Sequence, residues 1–153
     1  GFQSGLSWRT ILAKRENFRA AFHDFDYAKI ARFGLRDIDR LLKDSGIVRH
    51  RGKIEAVINN AQRALELVER AGSLAAFIWR YEPGNMKLPK PQSASISPES
   101  IALSKELKQQ GWKFVGPTTV YAFMQAMGLI NDHASSCYIG PAVERARRNF
   151  RRP

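Results

Sequence analysis

Two zinc-type donors, His133 and Cys137, lie four residues apart, a spacing that would set both side chains on one face of a helix and supply half of a tetrahedral metal site. A structural zinc needs four ligands, so from the residues alone the plainer reading is a surface histidine beside an inert cysteine. His23 and His50 have no comparable partner and read as surface or turn residues. Asp132 precedes His133, and a single carboxylate next to an asparagine is more often a helix cap than a catalyst. Neither the Gly-x-Ser-x-Gly nucleophile elbow nor the phosphate-loop signature ending in Gly-Lys-Ser/Thr occurs.

Anion binding has better candidates. Two glycine-containing turns, Ser45 to Lys53 and Gly111 to Thr119, each lead into a helical pattern. A helix N-terminus offers unpaired backbone N–H groups and a positive dipole end, and Arg49, Arg51 and Lys53 in one turn, with Lys113, Thr118 and Thr119 in the other, would make phosphate seats. An ordinary interhelical turn, with glycine for its backbone angles, explains the same spacing. Trp8 sits in an apolar series at helical intervals, Trp8, Ile11, Leu12, Phe18 and Phe22, where a core aromatic is the ordinary reading.

The elements that must carry these residues read as helices. The Trp8 to Phe22 series predicts a helix entered from a tight loop at Ser4, Gly5 and Ser7. A second helix is expected over 35–43 and a long third from about Lys53, with Ile54, Val57, Ile58, Ala61, Leu65 and Val68 on one face. Ser73 starts a short apolar helix holding Phe77, Ile78 and Trp79. Prolines and serines over 82–98 predict a loop. Ser97 with Pro98 reads as a cap with proline in the first turn of a helix to about Gln110, closed by Gly111; Pro117 to Met127, closed by Gly128, repeats that pattern. Strand-like alternation is scarce, so the fold class is all-α, with residues 1–140 as the helical core and 141–153 as a basic C-terminal tail. Arg145, Arg147, Arg148, Arg151 and Arg152 crowd that tail around Phe150, where a frayed, solvated end is the plainer reading than a DNA-contacting arm.

Composition names the class of partner. Among 153 residues, 25 Lys and Arg against 14 Asp and Glu leave a net charge of +11, which predicts a polyanion, nucleic acid first. No apolar run approaches the roughly 20 residues that span a bilayer, and none reads as a signal peptide, so no membrane association is expected. A single cysteine excludes an intrachain disulfide and suits a reducing, cytoplasmic setting. Nothing signals an oligomer, and a monomer is the default. The lack of an initiator methionine before patterned sequence predicts that a segment precedes Gly1.

Four separated blocks, GFQSGLSW from Gly1, KRENFRAAFHDFD from Lys14, GIVRHRGKIEAVINNA from Gly46 and GWKFVGPTTVYAFMQAMGLINDH from Gly111 with Cys137 beyond it, closely resemble the bacterial DNA-3-methyladenine glycosylase I family, in family order. The resemblance implies a helix-hairpin-helix glycosylase with two helical lobes, a lesion pocket in the cleft between them, and a substrate of double-stranded DNA carrying alkylated bases. It makes the turn from Lys113 to Thr119, with Gly116, the hairpin that grips the DNA backbone, and the turn holding Arg49, Arg51 and Lys53 a second basic contributor. Trp8 becomes a wall of the pocket, with Phe2 and Gln3 near it. Leu6, at the tip of Gly5-Leu6-Ser7, becomes the candidate wedge filling the gap left by the flipped base. The resemblance also implies that His133 and Cys137 are two of four ligands of a structural zinc, the other two lying in a family segment before Gly1, together with a pocket tyrosine and a glutamate. No organic cofactor is implied. The family lacks the catalytic aspartate of related glycosylases, which leaves Asp132 to cap or orient the region around His133. A non-catalytic DNA-binding helical module is the alternative, and an open purine-sized cavity beside Trp8 is what separates the two.

Overall fold

The computed structural model describes residues 1–84 and 94–153, and all regular structure among them is helical. Among the described residues nine α-helices follow one another, α1 (Trp8–Ala13), α2 (Arg15–Ala21), α3 (Tyr27–Ile30), α4 (Leu35–Lys43), α5 (Arg51–Ala71), α6 (Leu74–Trp79), α7 (Pro98–Gln109), α8 (Pro117–Ala126) and α9 (Gly140–Asn149), with a 3-10 turn at His23–Phe25. The start and stop signals act as their chemistry dictates. Ser73 and Ser97 accept from the N–H groups of Ala76 and Ser100, Pro98 and Pro117 sit in first turns, and Gly111 ends α7 at φ +80°. Most of the loop expected over 82–98 lies outside the described residues.

Helix α5 is the beam of the molecule. Its first half packs Ile54, Ile58 and Ala61 into one apolar cluster with Phe2, Phe18, Phe22, Ile30 and Leu41. Its second half gives Leu67 to another, with Phe77, Leu103, Leu107, Val120, Met124 and Leu129. The fold is therefore two helical lobes sharing one long helix, and whatever lies between the lobes is held by α5 on one side.

Two local expectations change. The single helix predicted over Trp8 to Phe22 is broken at Lys14, whose backbone (φ −102°, ψ 7°) leaves the helical well; its ammonium crosses to the carbonyls of Ser45 and Gly46 at 3.1 Å each. His133 and Cys137 are not on a helix; a turn in which the Cys137 N–H donates to the Ala134 carbonyl (2.8 Å) folds them together instead.

The C-terminal tail is folded rather than frayed. Arg147 donates to Glu82 (3.2 Å) and to the Leu129 carbonyl (2.9 Å), Arg152 donates to both Glu82 oxygens, and Phe150 packs on Trp79 with ring centroids 4.7 Å apart. Two arginines and an aromatic ring thus find complementary groups on the second lobe, which a solvated end would lack. Arg152 beside Glu82 holds that carboxyl below the usual carboxylate range, with Arg147 reinforcing it.

Candidate active site

The opening residues form the wall between the lobes. Gly5, at φ +70°, turns the chain so that Leu6 stands exposed at the tip, and the Ser7 hydroxyl then accepts from the Thr10 N–H (3.2 Å) to start α1. Trp8 follows as the first residue of that helix and keeps 47% of its surface exposed, so it is not the core aromatic its spacing alone suggested. Phe2 is instead the buried ring, packed on Phe18 (4.5 Å) and Phe22 (5.7 Å).

Lys53 departs from its expected place. Its side chain is buried, and the ammonium donates to the backbone carbonyls of Phe2 (2.9 Å) and Ser4, so it is not available to a phosphate. Desolvation pushes its pKa down from the ordinary lysine value. The reason is topological: α5 starts directly beneath the opening loop, whose carbonyls have no helical partners and must be satisfied by something. From the other side the Ser4 hydroxyl meets the Thr119 hydroxyl at 3.0 Å and Gln3 donates to the Thr119 carbonyl (3.4 Å), joining the loop to α8.

The turn before α8 is fixed to the beam. Asn59 donates to the Gly111 carbonyl (2.9 Å), while Asn60 accepts from the Lys113 N–H (2.8 Å) and donates to its carbonyl (2.9 Å). Phe114, at φ +55°, lies edge-on to His50 and under the Lys53 ammonium. Lys113 and Thr118 are exposed, a Cβ at Gly116 would meet only open space, and no side chain caps the α8 N-terminus. The α5 N-terminus differs, because His50 Nδ1 already accepts from the Lys53 N–H (3.2 Å). What the second turn presents outward is the exposed side chains of Arg49 and Arg51, the latter within reach of Glu55 (3.4 Å) and Asp39 (3.7 Å).

Between the lobes lies a cavity of about 700 Å³, within the range of small-ligand sites. Phe2, Phe18 and Val57 of the first lobe and Ala126 of α8 line it, with Trp8, Gln3 and Phe25 at its walls. Two further hollows also reach Trp8: one of about 590 Å³ runs over Leu6 to the turn from Gly116 to Thr119, and one of about 630 Å³ is lined by Gln125, Asp132 and His133. Trp8 is therefore where the loop tip, the turn before α8 and the cavity converge. Phe25 is the wall residue that sequence reasoning missed.

Asp132 neither caps a helix nor faces the cavity as a free base. Its carboxylate accepts from the Tyr121 hydroxyl (2.9 Å) and from Gln125 (2.8 Å), and burial, with that bond, pushes the Tyr121 pKa up to about 12. Cys137 Sγ lies 3.5 Å from His133 Nδ1. Tetrahedral zinc with Zn–S of about 2.3 Å and Zn–N of about 2.0 Å would place two such donors roughly 3.5 Å apart, so the pair fits one edge of such a site. Among the described residues no third His, Cys, Asp or Glu joins them.

Comparison with known proteins places this geometry. A family model described as methyladenine glycosylase matches residues 1–140. The DNA-3-methyladenine glycosylase 1 of Escherichia coli (strain K12) is 46% identical over 145 residues, covering 92% of this chain and 78% of that protein. The DNA-3-methyladenine glycosylase of Haemophilus influenzae is 45% identical, covering 90% of the chain and 76% of its own length. Among solved structures, the 3-methyladenine DNA glycosylase I of Staphylococcus aureus, determined for the structural basis of its 3-methyladenine recognition, superposes with a TM-score of 0.85 at 41% identity, over 92% of this chain and 77% of that one.

Proposed function

The chain belongs to the methyladenine glycosylase family, and from that premise we propose that it removes 3-methyladenine from alkylated DNA by hydrolysing the N-glycosidic bond. The observation that carries the reading is the open cavity walled by Trp8, beside the exposed Leu6 tip and the uncapped turn of α8. A non-catalytic DNA-binding module would need the turns but not the cavity.

Methylation at N3 leaves the adenine cationic and its bond to the sugar weak. The nucleotide leaves the stack, Leu6 fills the space behind it, and the cationic purine enters the cavity against Trp8, where an aromatic face attracts positive charge. The bonding pair of N9 and C1′ leaves with the purine, a water oxygen bonds to C1′ and sheds its proton to solvent, and the products are free 3-methyladenine and an abasic site. A leaving group already cationic asks for little acid or base assistance, in keeping with an Asp132 that is engaged by Tyr121 and Gln125.

The substrate on this reading is double-stranded DNA. The helix-hairpin-helix role falls to Lys113 through Thr119: the Thr118 and Thr119 N–H groups, the Thr118 hydroxyl and the Lys113 ammonium take phosphate oxygens, and Arg49 and Arg51 extend the basic face. Lys53 serves this face from within. One chain brings wedge, cavity and phosphate turn together, which supports action as a monomer, and a single thiol suits a cytoplasmic setting. His133 and Cys137 would supply two ligands of a structural zinc, completed by donors outside the described residues, whose contribution is to pin the segment after Asp132. Metal analysis in which Cys137→Ser leaves the zinc content unchanged would remove that assignment.

The test is product analysis on methylated duplex DNA. Equal yields of free 3-methyladenine and abasic sites, with strands intact, are expected. DNA binding without either product would establish the non-catalytic module.

A further inference from the structure

His23, Asp24 and Phe25 have φ of +49°, +55° and +60°, three consecutive left-handed residues and not one of them glycine. L-residues enter this region as isolated residues at a cost of about 1–2 kcal/mol each. A run of three persists only where the surroundings over-determine it, and such strain is a pointer to function when it aims a side chain at a site.

What the run aims is Phe25. The Phe25 N–H donates to the Phe22 carbonyl and the Asp26 N–H to the His23 carbonyl, each at 3.0 Å, closing the turn, and Asp26 then caps α3 through the N–H groups of Ala28 and Lys29. His23 lies edge-on to Phe33 (5.6 Å), fixing the other side of the turn. Phe25 ends parallel to the fully buried Phe22, with centroids 5.6 Å apart and planes 6° from each other, while Phe22 in turn stacks on Phe18. One face of Phe25 is covered by that stack. The ring nevertheless keeps 44% of its surface exposed and lines the same cavity as Trp8.

From this geometry, and resting on the functional reading above, we propose that Phe25 is a specificity-determining residue: a platform on which the flipped, cationic purine stacks, extending the series Phe18, Phe22, Phe25 by one more ring. Phe18 and Phe2 are too buried to serve, and Trp8 stands on α1, so the cavity receives the base between aromatic rings carried by two different elements. An aromatic platform rewards a planar cation more than a neutral base, so Phe25 favours methylated over unmodified adenine.

The test compares the parent chain with Phe25→Leu, which keeps an apolar side chain of similar bulk without a π face, and with Phe25→Tyr, which keeps the face. Excision of 3-methyladenine from methylated duplex, thermal midpoint and affinity for undamaged duplex are measured for each. Phe25→Leu should lose about 5- to 150-fold in kcat/KM, the range of base–aromatic stacking, with undamaged-DNA affinity unchanged, and Phe25→Tyr should retain excision. A Phe25→Leu protein that excises like an active parent overturns this assignment alone. A parent that neither releases 3-methyladenine nor binds it as the free base overturns the functional reading, and this assignment with it.

Discussion

The ammonium of Lys53, at the start of α5, donates to the backbone carbonyls of Phe2 and Ser4, so the loop that carries Leu6 and leads into Trp8 rests on a buried lysine rather than on solvent. Lys53→Met, which keeps the stem and removes the donors, leaves two carbonyls unsatisfied and should destabilise the fold by about 2 kcal/mol while lowering the excision rate. Its diagnostic is the salt dependence of binding to undamaged duplex. A lost phosphate contact lowers the log–log slope by about 1, whereas Lys53→Met should leave it unchanged.

Lys113 provides the opposite case. It is exposed on the turn before α8, and its backbone is already held by Asn60. Lys113→Ala should weaken binding to damaged and undamaged duplex alike and reduce the salt slope by about 1, with the thermal midpoint unaltered. An unchanged slope would place the phosphate contact elsewhere.

Leu6 is exposed at its turn and touches a hollow shared with Trp8 and the α8 turn. If it occupies the gap left by the flipped nucleotide, Leu6→Ala loses the burial of a leucine side chain, about 2 kcal/mol, or roughly thirtyfold in kcat/KM on lesion duplex. Folding stability should not move, because the side chain is exposed in the free protein. Equal excision by the two proteins would refute the wedge.

The tail supplies a pH prediction. The Glu82 carboxyl is held below its ordinary value of 4.5, chiefly by Arg152. A depressed folded pKa means that the stabilisation is complete above the unfolded value and is lost as pH falls through the folded one. The tail should therefore stay docked at neutral pH and release only under acid below about pH 4.5, seen as a change in the environment of Trp79 against which Phe150 packs. Glu82→Gln should bring that change to neutral pH and cost about 2 kcal/mol, the scale of hydrogen bonds to charged groups.

Much of this was legible in the sequence, and what was not has physical reasons. Ser97 with Pro98, Gly111 and Gly128 act locally, so the helix ends they mark needed no tertiary information. That Trp8 lines the cavity and Leu6 stands exposed at its turn is not legible from spacing, which gives no sign of which side of a helix or turn faces a cleft. Lys53 misled because its residue type says surface, while its burial follows from a loop 49 residues away in sequence. Phe25 was invisible because a left-handed run without glycine carries no signature. The docking of the tail leaves no mark in its own residues, because Glu82, the group that holds it, lies 65 residues from Arg147. His133 and Cys137 do meet, Sγ 3.5 Å from Nδ1, but on a turn that serves the same spacing as the expected helix.

The central claim is that the cavity beside Trp8 receives a flipped methylated purine. The most direct measurement is the single-turnover rate of 3-methyladenine release from methylated duplex by the parent chain and by Trp8→Ala, with affinity for undamaged duplex followed in parallel. Trp8 is exposed and makes no hydrogen bond to the turn before α8 or to the turn carrying Arg49 and Arg51, so the account predicts a fall of at least tenfold in release, the scale of one lost base–aromatic stack, with undamaged-DNA affinity preserved. Release at the parent rate by Trp8→Ala would contradict it.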